Sequence, residues 1–343
     1  MSAEKKNLIN RGRHRLEEVL PLETPYCLFI DPCSLCNFKC RFCAMQASEE
    51  PLPFKKQLMP MELYKKIIDD ISGFPDKLKM LRLAAHGEPL LHPQLPEMIR
   101  YAKEKGVTEF VEIVTNGSLL KPELNQALVE SGLDCIRISI EALDAEGYRE
   151  ITGARVDFDE LLANIGDFYR RSVLAGNSCE VYVKTVDATA NTKEREAAFY
   201  SLFENISHKM WIDHIIPIWA GWDDLSNRFE LQQIGVHGQA LREIKVCPFP
   251  LYSLVITPDG IATVCCSDWK RKLVIGDLNR QSLKEVWDGD VLKKFWIDML
   301  SGNRARYEMC AACTYPTYNS TDNIDAYAED ILKRMECAQA VRP

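Results

Sequence analysis

The chain of 343 residues is 46% hydrophobic and 27% charged, an ordinary composition for a chain that folds around a core. That balance excludes disordered, collagen-like and low-complexity classes for the chain as a whole, and the length predicts about two domains. A net charge of −8 has the wrong sign for coating a nucleic-acid backbone by bulk electrostatics, so no nucleic-acid partner is expected.

The first 20 residues hold no apolar run of the length a signal peptide needs, and no stretch of about 18 apolar residues would span a membrane. A cytoplasmic chain without a membrane partner is expected. The thirteen cysteines are an odd number, so a complete disulfide framework cannot use them all. In a reducing compartment, clustered thiols more often bind metal or act in redox chemistry.

In chain order, residues 1–24 read as a charged arm. Short β-branched runs then alternate with helical patterns. Strands are predicted over 27–30, 80–84, 110–114, 135–140, 181–186 and 212–218, and helices over 62–71, 95–105, 123–130, 158–173 and 193–206. Six strand–helix repeats imply a parallel sheet with right-handed crossovers, either a partial barrel or a doubly wound sheet, with chemistry at the carboxyl ends of the strands. The alternation stops near Asn227. A hairpin is predicted over 253–257 and 261–265 around Pro258-Asp259-Gly260, then a helix near 283–300, a cysteine-bearing loop and a short amphipathic helix over 322–342. The expected division is an arm (1–24), a barrel (25–228), a linker (229–246), an auxiliary unit (247–321) and a C-terminal helix (322–343).

Immediately after the first predicted strand stand Cys36, Cys40 and Cys43, spaced C-x3-C-x2-C with Phe42 before the last thiol. Three thiolates on one loop can hold three corners of a [4Fe–4S] cube and leave the fourth iron open. A structural zinc site is the alternative, with Cys33 as fourth ligand. On this motif, at the end of strand one, the chain resembles the radical S-adenosylmethionine (radical SAM) superfamily. That resemblance implies a partial (β/α)6 TIM-like barrel and S-adenosylmethionine bound at the open iron. It also implies a 5′-deoxyadenosyl radical that takes hydrogen from substrate, and an electron donor such as flavodoxin or ferredoxin.

Gly87, Glu88 and Pro89 after strand two are similar to the family's Gly-Gly-Glu-Pro, with His86 in place of the usual first glycine. Thr115 and Asn116 after strand three, and Ser139 and Glu141 at strand four, match the places where the family meets the cofactor. Each motif alone also reads as an ordinary turn.

The C-terminal region carries Cys247, Cys265, Cys310 and Cys313. Four thiols suit either a closed iron–sulfur cube or a C4 zinc site. Their spacing around Gly260 resembles the auxiliary domains called SPASM and Twitch, and is most similar to the Twitch domain of 2-deoxy-scyllo-inosamine dehydrogenase. The resemblance implies one auxiliary [4Fe–4S] cluster beside the cofactor-binding one, in a hairpin-plus-helix unit. Cys266 is a candidate hydrogen-atom donor, an alternative ligand or a packed bystander.

The expected reaction is two-electron oxidation of a small polar substrate such as a sugar, cyclitol or nucleotide sugar, with the auxiliary cluster accepting an electron. Epimerisation and ribosomal-peptide modification are the alternatives. Only about 25 residues precede strand one, fewer than a leader-binding domain would need. Trp219, Trp222, Asp223, Asp224 and Arg228 after strand six are candidate substrate contacts or an interdomain wedge. Lys184, Asp187, Arg155, Arg170 and Arg171 are weaker candidates, equally explained as surface charge.

Overall fold

The computed structural model describes residues 14–219, 222, 225–319 and 322–340. Six strands alternate with helices: β1 (Cys27–Ile30), β2 (Met80–Leu83), β3 (Val111–Thr115), β4 (Cys135–Ser139), β5 (Glu180–Val186) and β6 (Lys209–Asp213). All neighbours from β1 to β6 are parallel, and their order in space is their order in the chain. A doubly wound sheet reverses direction at a switch point, whereas sequential order is how a barrel is built. β6 forms one edge and does not pair with β1, so the barrel is partial.

Period-two alternation sorts the strand residues onto two faces. Leu28, Ile30, Leu81, Leu83, Val111, Ile113, Ile136, Ile138, Val181 and Val183 face the crossover helices and are fully buried. Burying each such side chain contributes about 1.5–3 kcal/mol. The helix stripes that meet them include Tyr64, Ile67, Ile68, Leu95, Met98, Ile99 and Phe168. The other face lines the concave lumen and holds Phe29, Arg82, Glu112, Arg137 and Lys184.

The C-terminal unit extends the same sheet. β7 (Ser253–Ile256) pairs parallel with β1, and β8 (Ile261–Thr263) and β9 (Val274–Asp277) follow antiparallel. The hairpin turns at Gly260, whose φ of +84° favours glycine. β9 was not expected from the sequence; it is a four-residue run interrupted by Gly276.

Three further differences have physical causes. β6 begins three residues earlier than the apolar run suggested, because its lumen face carries Lys209, Trp211 and Asp213. Beyond Asp213 the Asp187 carboxylate accepts the Ile215 N–H at 3.1 Å, which takes that run out of the ladder. The helix near 283–300 is two helices, Leu283–Trp287 and Asp290–Leu300, broken at Gly289 where a Cβ would stand 2.9 Å from the Glu285 carbonyl oxygen. The helix Ala145–Thr152 was missed. Asp144 caps it by accepting the Gly147 N–H at 2.7 Å, and Gly153 ends it at φ +67°.

Candidate active site

The three-cysteine loop leaves β1 at Asp31 and is held on both sides. Lys39 and Arg41 donate their N–H groups to the carbonyls of Thr152 and Ile151 at 2.8 and 3.0 Å, so the helix Ala145–Thr152 serves as its scaffold. Cys36, Cys40 and Cys43 lie within electrostatic reach of one another. Burial pushes all three thiols up, Cys36 to about 11 and Cys43 to about 12, and the thiols add to one another's shifts. The Phe38 N–H points at the Cys36 sulfur at 3.4 Å, a donor that favours a thiolate. Cys33 is buried and interacts with its own loop, its sulfur accepting the Leu35 N–H at 3.2 Å.

The strand-two loop presses against this loop. The Glu88 N–H donates to the Leu35 carbonyl at 2.8 Å. A Cβ on Gly87 would stand 1.8 Å from the Cys33 carbonyl oxygen, so only glycine fits the contact. Asp31 accepts the N–H groups of His86 at 3.2 Å and Gly87 at 3.4 Å, fixing the loop's path where His86 replaces glycine. Pro89 opens the short turn Pro89–Leu91, for which Glu88 is the cap.

The Glu88 carboxylate accepts from Leu90 N–H at 3.0 Å, Thr115 Oγ1 at 2.6 Å and Asn116 N–H at 2.8 Å. Burial outweighs these bonds and pushes its carboxyl up to about 7. Asn116 donates in turn to Asn37 at 2.9 Å, closing β3's loop onto the cysteine loop. Ser139 faces the lumen opposite Lys184. Glu141, two residues on, is buried, and no hydrogen bond to its carboxyl is formed among the described residues. Burial pushes it up to about 7, against the pull of Lys184. It also lies in the field of Cys36, Cys40 and Cys43, and so is a buried carboxyl near the thiols with its acceptors unspent.

The second thiol set gathers where β7 and β8 meet the chain end. Cys247, Cys265, Cys310 and Cys313 are within electrostatic reach of one another, and burial again pushes their thiols up. For Cys265 the neighbouring Cys266 is the larger cause, ahead of burial. Ser267 N–H points at the Cys265 sulfur at 3.3 Å and Tyr315 N–H at the Cys313 sulfur at 3.4 Å. Arg304 was not expected from the sequence. It donates to the carbonyls of Cys310, at 2.8 Å, and Cys313, and so ties the C-x2-C turn. Among the described residues, no three His, Cys, Asp or Glu side chains converge closely enough to hold one metal ion.

Cys43 of the first thiol set and Cys313 of the second pack against one apolar cluster that includes Met45, Trp269 and Met309. Phe249, Tyr252, Cys247, Cys265, Cys266 and Tyr315 pack with Phe29, Val255, Cys27 and Met80 around the lumen face of β1 and β7. His86 spans the two sets, its Nε2 lying 2.8 Å from the Cys266 carbonyl. Cys266 as a residue is half-buried.

The segment after β6 behaves as a wedge. Trp222 is buried with Met45, Ile215, Trp269 and Met309, and the Trp219 Nε1–H donates to the Phe42 carbonyl at 3.0 Å. Arg228 stacks on Trp222 and donates to the Ala47 carbonyl at 3.3 Å. Asp223 and Asp224 lie outside the described residues. Lys184 pairs with Asp213 at 2.9 Å and Asp187 with His214 at 2.9 Å, while Arg170 and Arg171 pair with Asp167 on a helix surface. Arg155 lines a surface cleft of about 370 Å³ that also touches Asn37 and Phe38 and lies outside the lumen.

Comparison with known proteins agrees with this geometry. Residues 30–176 match the radical SAM superfamily, and residues 247–314 match the iron–sulfur cluster-binding domain SPASM. The GTP 3′,8-cyclase of Chlorobaculum tepidum is 38% identical over 119 residues, covering 35% of this chain and 34% of the cyclase. The Fe-coproporphyrin III synthase of Methanosarcina barkeri is 25% identical over 225 residues, covering 64% of this chain and 53% of the synthase. The matches thus span about a third and about half of those relatives. In fold the chain is similar to BtrN, solved in complex with AdoMet and 2-DOIA, with a TM-score of 0.56 at 18% identity over 88% of this chain and 97% of BtrN. The chain carries a radical SAM domain over residues 30–176 and a C-terminal SPASM iron–sulfur cluster-binding domain over residues 247–314.

Proposed function

We propose that this protein holds two [4Fe–4S] clusters and oxidises a small polar substrate such as a sugar, cyclitol or nucleotide sugar by two electrons. The observation that carries this is the pairing of a three-thiol set with a four-thiol set beside the adjacent strands β1 and β7 of one sheet. When bound, the open cluster would supply one electron to S-adenosylmethionine and so generate the hydrogen-abstracting 5′-deoxyadenosyl group, and the closed cluster would accept the substrate's second electron.

The chain's own residues have distinct tasks. Cys36, Cys40 and Cys43 hold the first cluster, and Cys247, Cys265, Cys310 and Cys313 the second. Gly87 and Pro89 shape the loop at the cofactor's methionine end, and Glu88 braces that loop against Thr115 and Asn116. Ser139 and the unpartnered Glu141 receive the ribose. The apolar wedge of Trp219 and Trp222 limits water beside the first thiol set. A ferredoxin or flavodoxin is the expected donor. Cys266 supports a second reading: a cysteine packed at the lumen face of β1 and β7 could return a hydrogen atom to the substrate, as an epimerase requires. In deuterated water an epimerase would give a product carrying deuterium, and an oxidase would not.

The cluster assignment is tested by iron and sulfide analysis after anaerobic reconstitution. The expected content is about eight of each per chain, falling by half when Cys36, Cys40 and Cys43 are all replaced by alanine. A colourless protein with one or two zinc ions would contradict it.

A further inference from the structure

The lumen carries charge that the cluster chemistry does not use. Arg82 of β2, Glu112 of β3 and Arg137 of β4 share its face. Glu112 bridges the two arginines, 2.6 Å from Arg82 Nε and 2.7 Å from Arg137 Nη2. Each guanidinium also lies over a ring, Arg82 on Phe29 at 4.9 Å and Arg137 on Trp211 at 5.5 Å. Carboxylate and ring together hold each arginine in place before any ligand arrives.

One carboxylate between two guanidinium groups leaves a net positive charge. Glu112 is 3% exposed, whereas Arg82 and Arg137 remain 23% and 24% exposed. Of five N–H donors on each guanidinium, one apiece goes to Glu112. Arg137 Nε is buried with no hydrogen-bond partner among the described residues, a donor that favours a ligand's acceptor. The other lumen cations are occupied: Lys184 by Asp213 at 2.9 Å, and Lys209 by the Tyr182 hydroxyl at 2.6 Å. Arg137 lies two residues before Ser139 on β4, so it stands about 7 Å deeper in the lumen than the expected cofactor contact.

We propose that Arg82 and Arg137 form an oxyanion-binding floor that takes a phosphate or carboxylate group of the substrate. The floor would anchor one end of the molecule and set which carbon lies beside the cofactor. Glu112 is a positioning residue that holds the two forks in place. This inference rests on the proposed radical reaction only for its consequence; the binding site stands on the lumen geometry itself.

The test is calorimetric titration of the iron-loaded wild-type protein with glucose 1-phosphate, glucuronate, glucose and glucosamine. At least one anion should bind roughly tenfold or more tightly than glucose and glucosamine. The stronger of the two anions tells phosphate from carboxylate. Arg137→Gln should weaken that anion roughly tenfold, and Arg137→Lys should recover part of the loss. Equal binding of glucose and both anions, no binding of either anion, or unchanged anion affinity in Arg137→Gln would overturn the proposal. Iron content and melting temperature show whether the variants fold; if they do not, the wild-type ranking decides. Release of 5′-deoxyadenosine by the wild-type protein is measured alongside, and its absence would count against the radical reaction and not against the anion site.

Discussion

Glu141 carries the cost of a buried acid at a single side chain. Its carboxyl is buried beside Glu88 and three thiols with no hydrogen bond of its own among the described residues. The folded state therefore binds its proton more tightly than the unfolded state, where the ordinary value is 4.5. Folding loses stability as pH rises from that value through about 7, and the loss is complete above it. Glu141→Gln removes this penalty. The metal-free variant should melt higher than wild type at pH 8, by on the order of 1–3 kcal/mol, and the gap should close toward pH 4.5. A gap that is the same at both pH values would show that Glu141 is not the group responsible. The same variant should bind S-adenosylmethionine more weakly once loaded with iron, because Glu141 is the proposed ribose contact.

At the scale of elements, the site depends on loops pressed together at the ends of strands. Gly87 is the tightest contact, since a Cβ there would overlap the Cys33 carbonyl. Gly87→Ala should force the strand-two and cysteine loops apart, cost about 1–3 kcal/mol or more in a thermal melt, and leave the reconstituted protein unable to bind S-adenosylmethionine. Wild-type melting and cofactor binding in that variant would mean the loops are not in contact.

Much of this arrangement was legible in the sequence, and the misses share a cause. β1 to β5 and most crossover helices follow apolar periodicity, because their burial is one-sided and regular. β6 was displaced because its strand carries lumen charges while the apolar run beyond it is coil. The helix Ala145–Thr152 was missed because only one face of two turns is apolar, with Tyr148 and Thr152 buried. The thiol motifs were visible because their spacing is local. Arg304, which braces the second set, was not, because a side chain bonding backbone carbonyls leaves no residue-type pattern; the Arg82–Glu112–Arg137 row was not, because it joins three separate strands. Charged residues at alternate positions of otherwise apolar strands, as in Leu81-Arg82-Leu83 and Val111-Glu112-Ile113, were the available signal.

For the whole molecule, one sheet joins both thiol sets. β7 lies parallel to β1, so the cysteine loop leaving β1 and the auxiliary unit are built from adjacent strands. Asp70 at the end of the helix Met61–Asp70 accepts the Leu283 N–H at 3.0 Å, and Trp287 Nε1–H donates to the Leu22 carbonyl at 3.2 Å, which ties the auxiliary helices to the barrel's outer layer. Asp325 accepts the N–H groups of Lys245 and Val246 at 3.0 and 2.8 Å and so fixes the approach to Cys247. These ties brace the auxiliary unit against the barrel. No helix among the described residues is long and apolar enough to cross a membrane.

The central claim is that the open thiol set supports reductive cleavage of S-adenosylmethionine. It is tested most directly by incubating the anaerobically reconstituted protein with S-adenosylmethionine and dithionite and measuring 5′-deoxyadenosine. The account predicts 5′-deoxyadenosine and methionine in equal amounts from the wild-type protein and none when Cys36, Cys40 and Cys43 are replaced by alanine. An iron-loaded wild-type protein that releases no 5′-deoxyadenosine would contradict it.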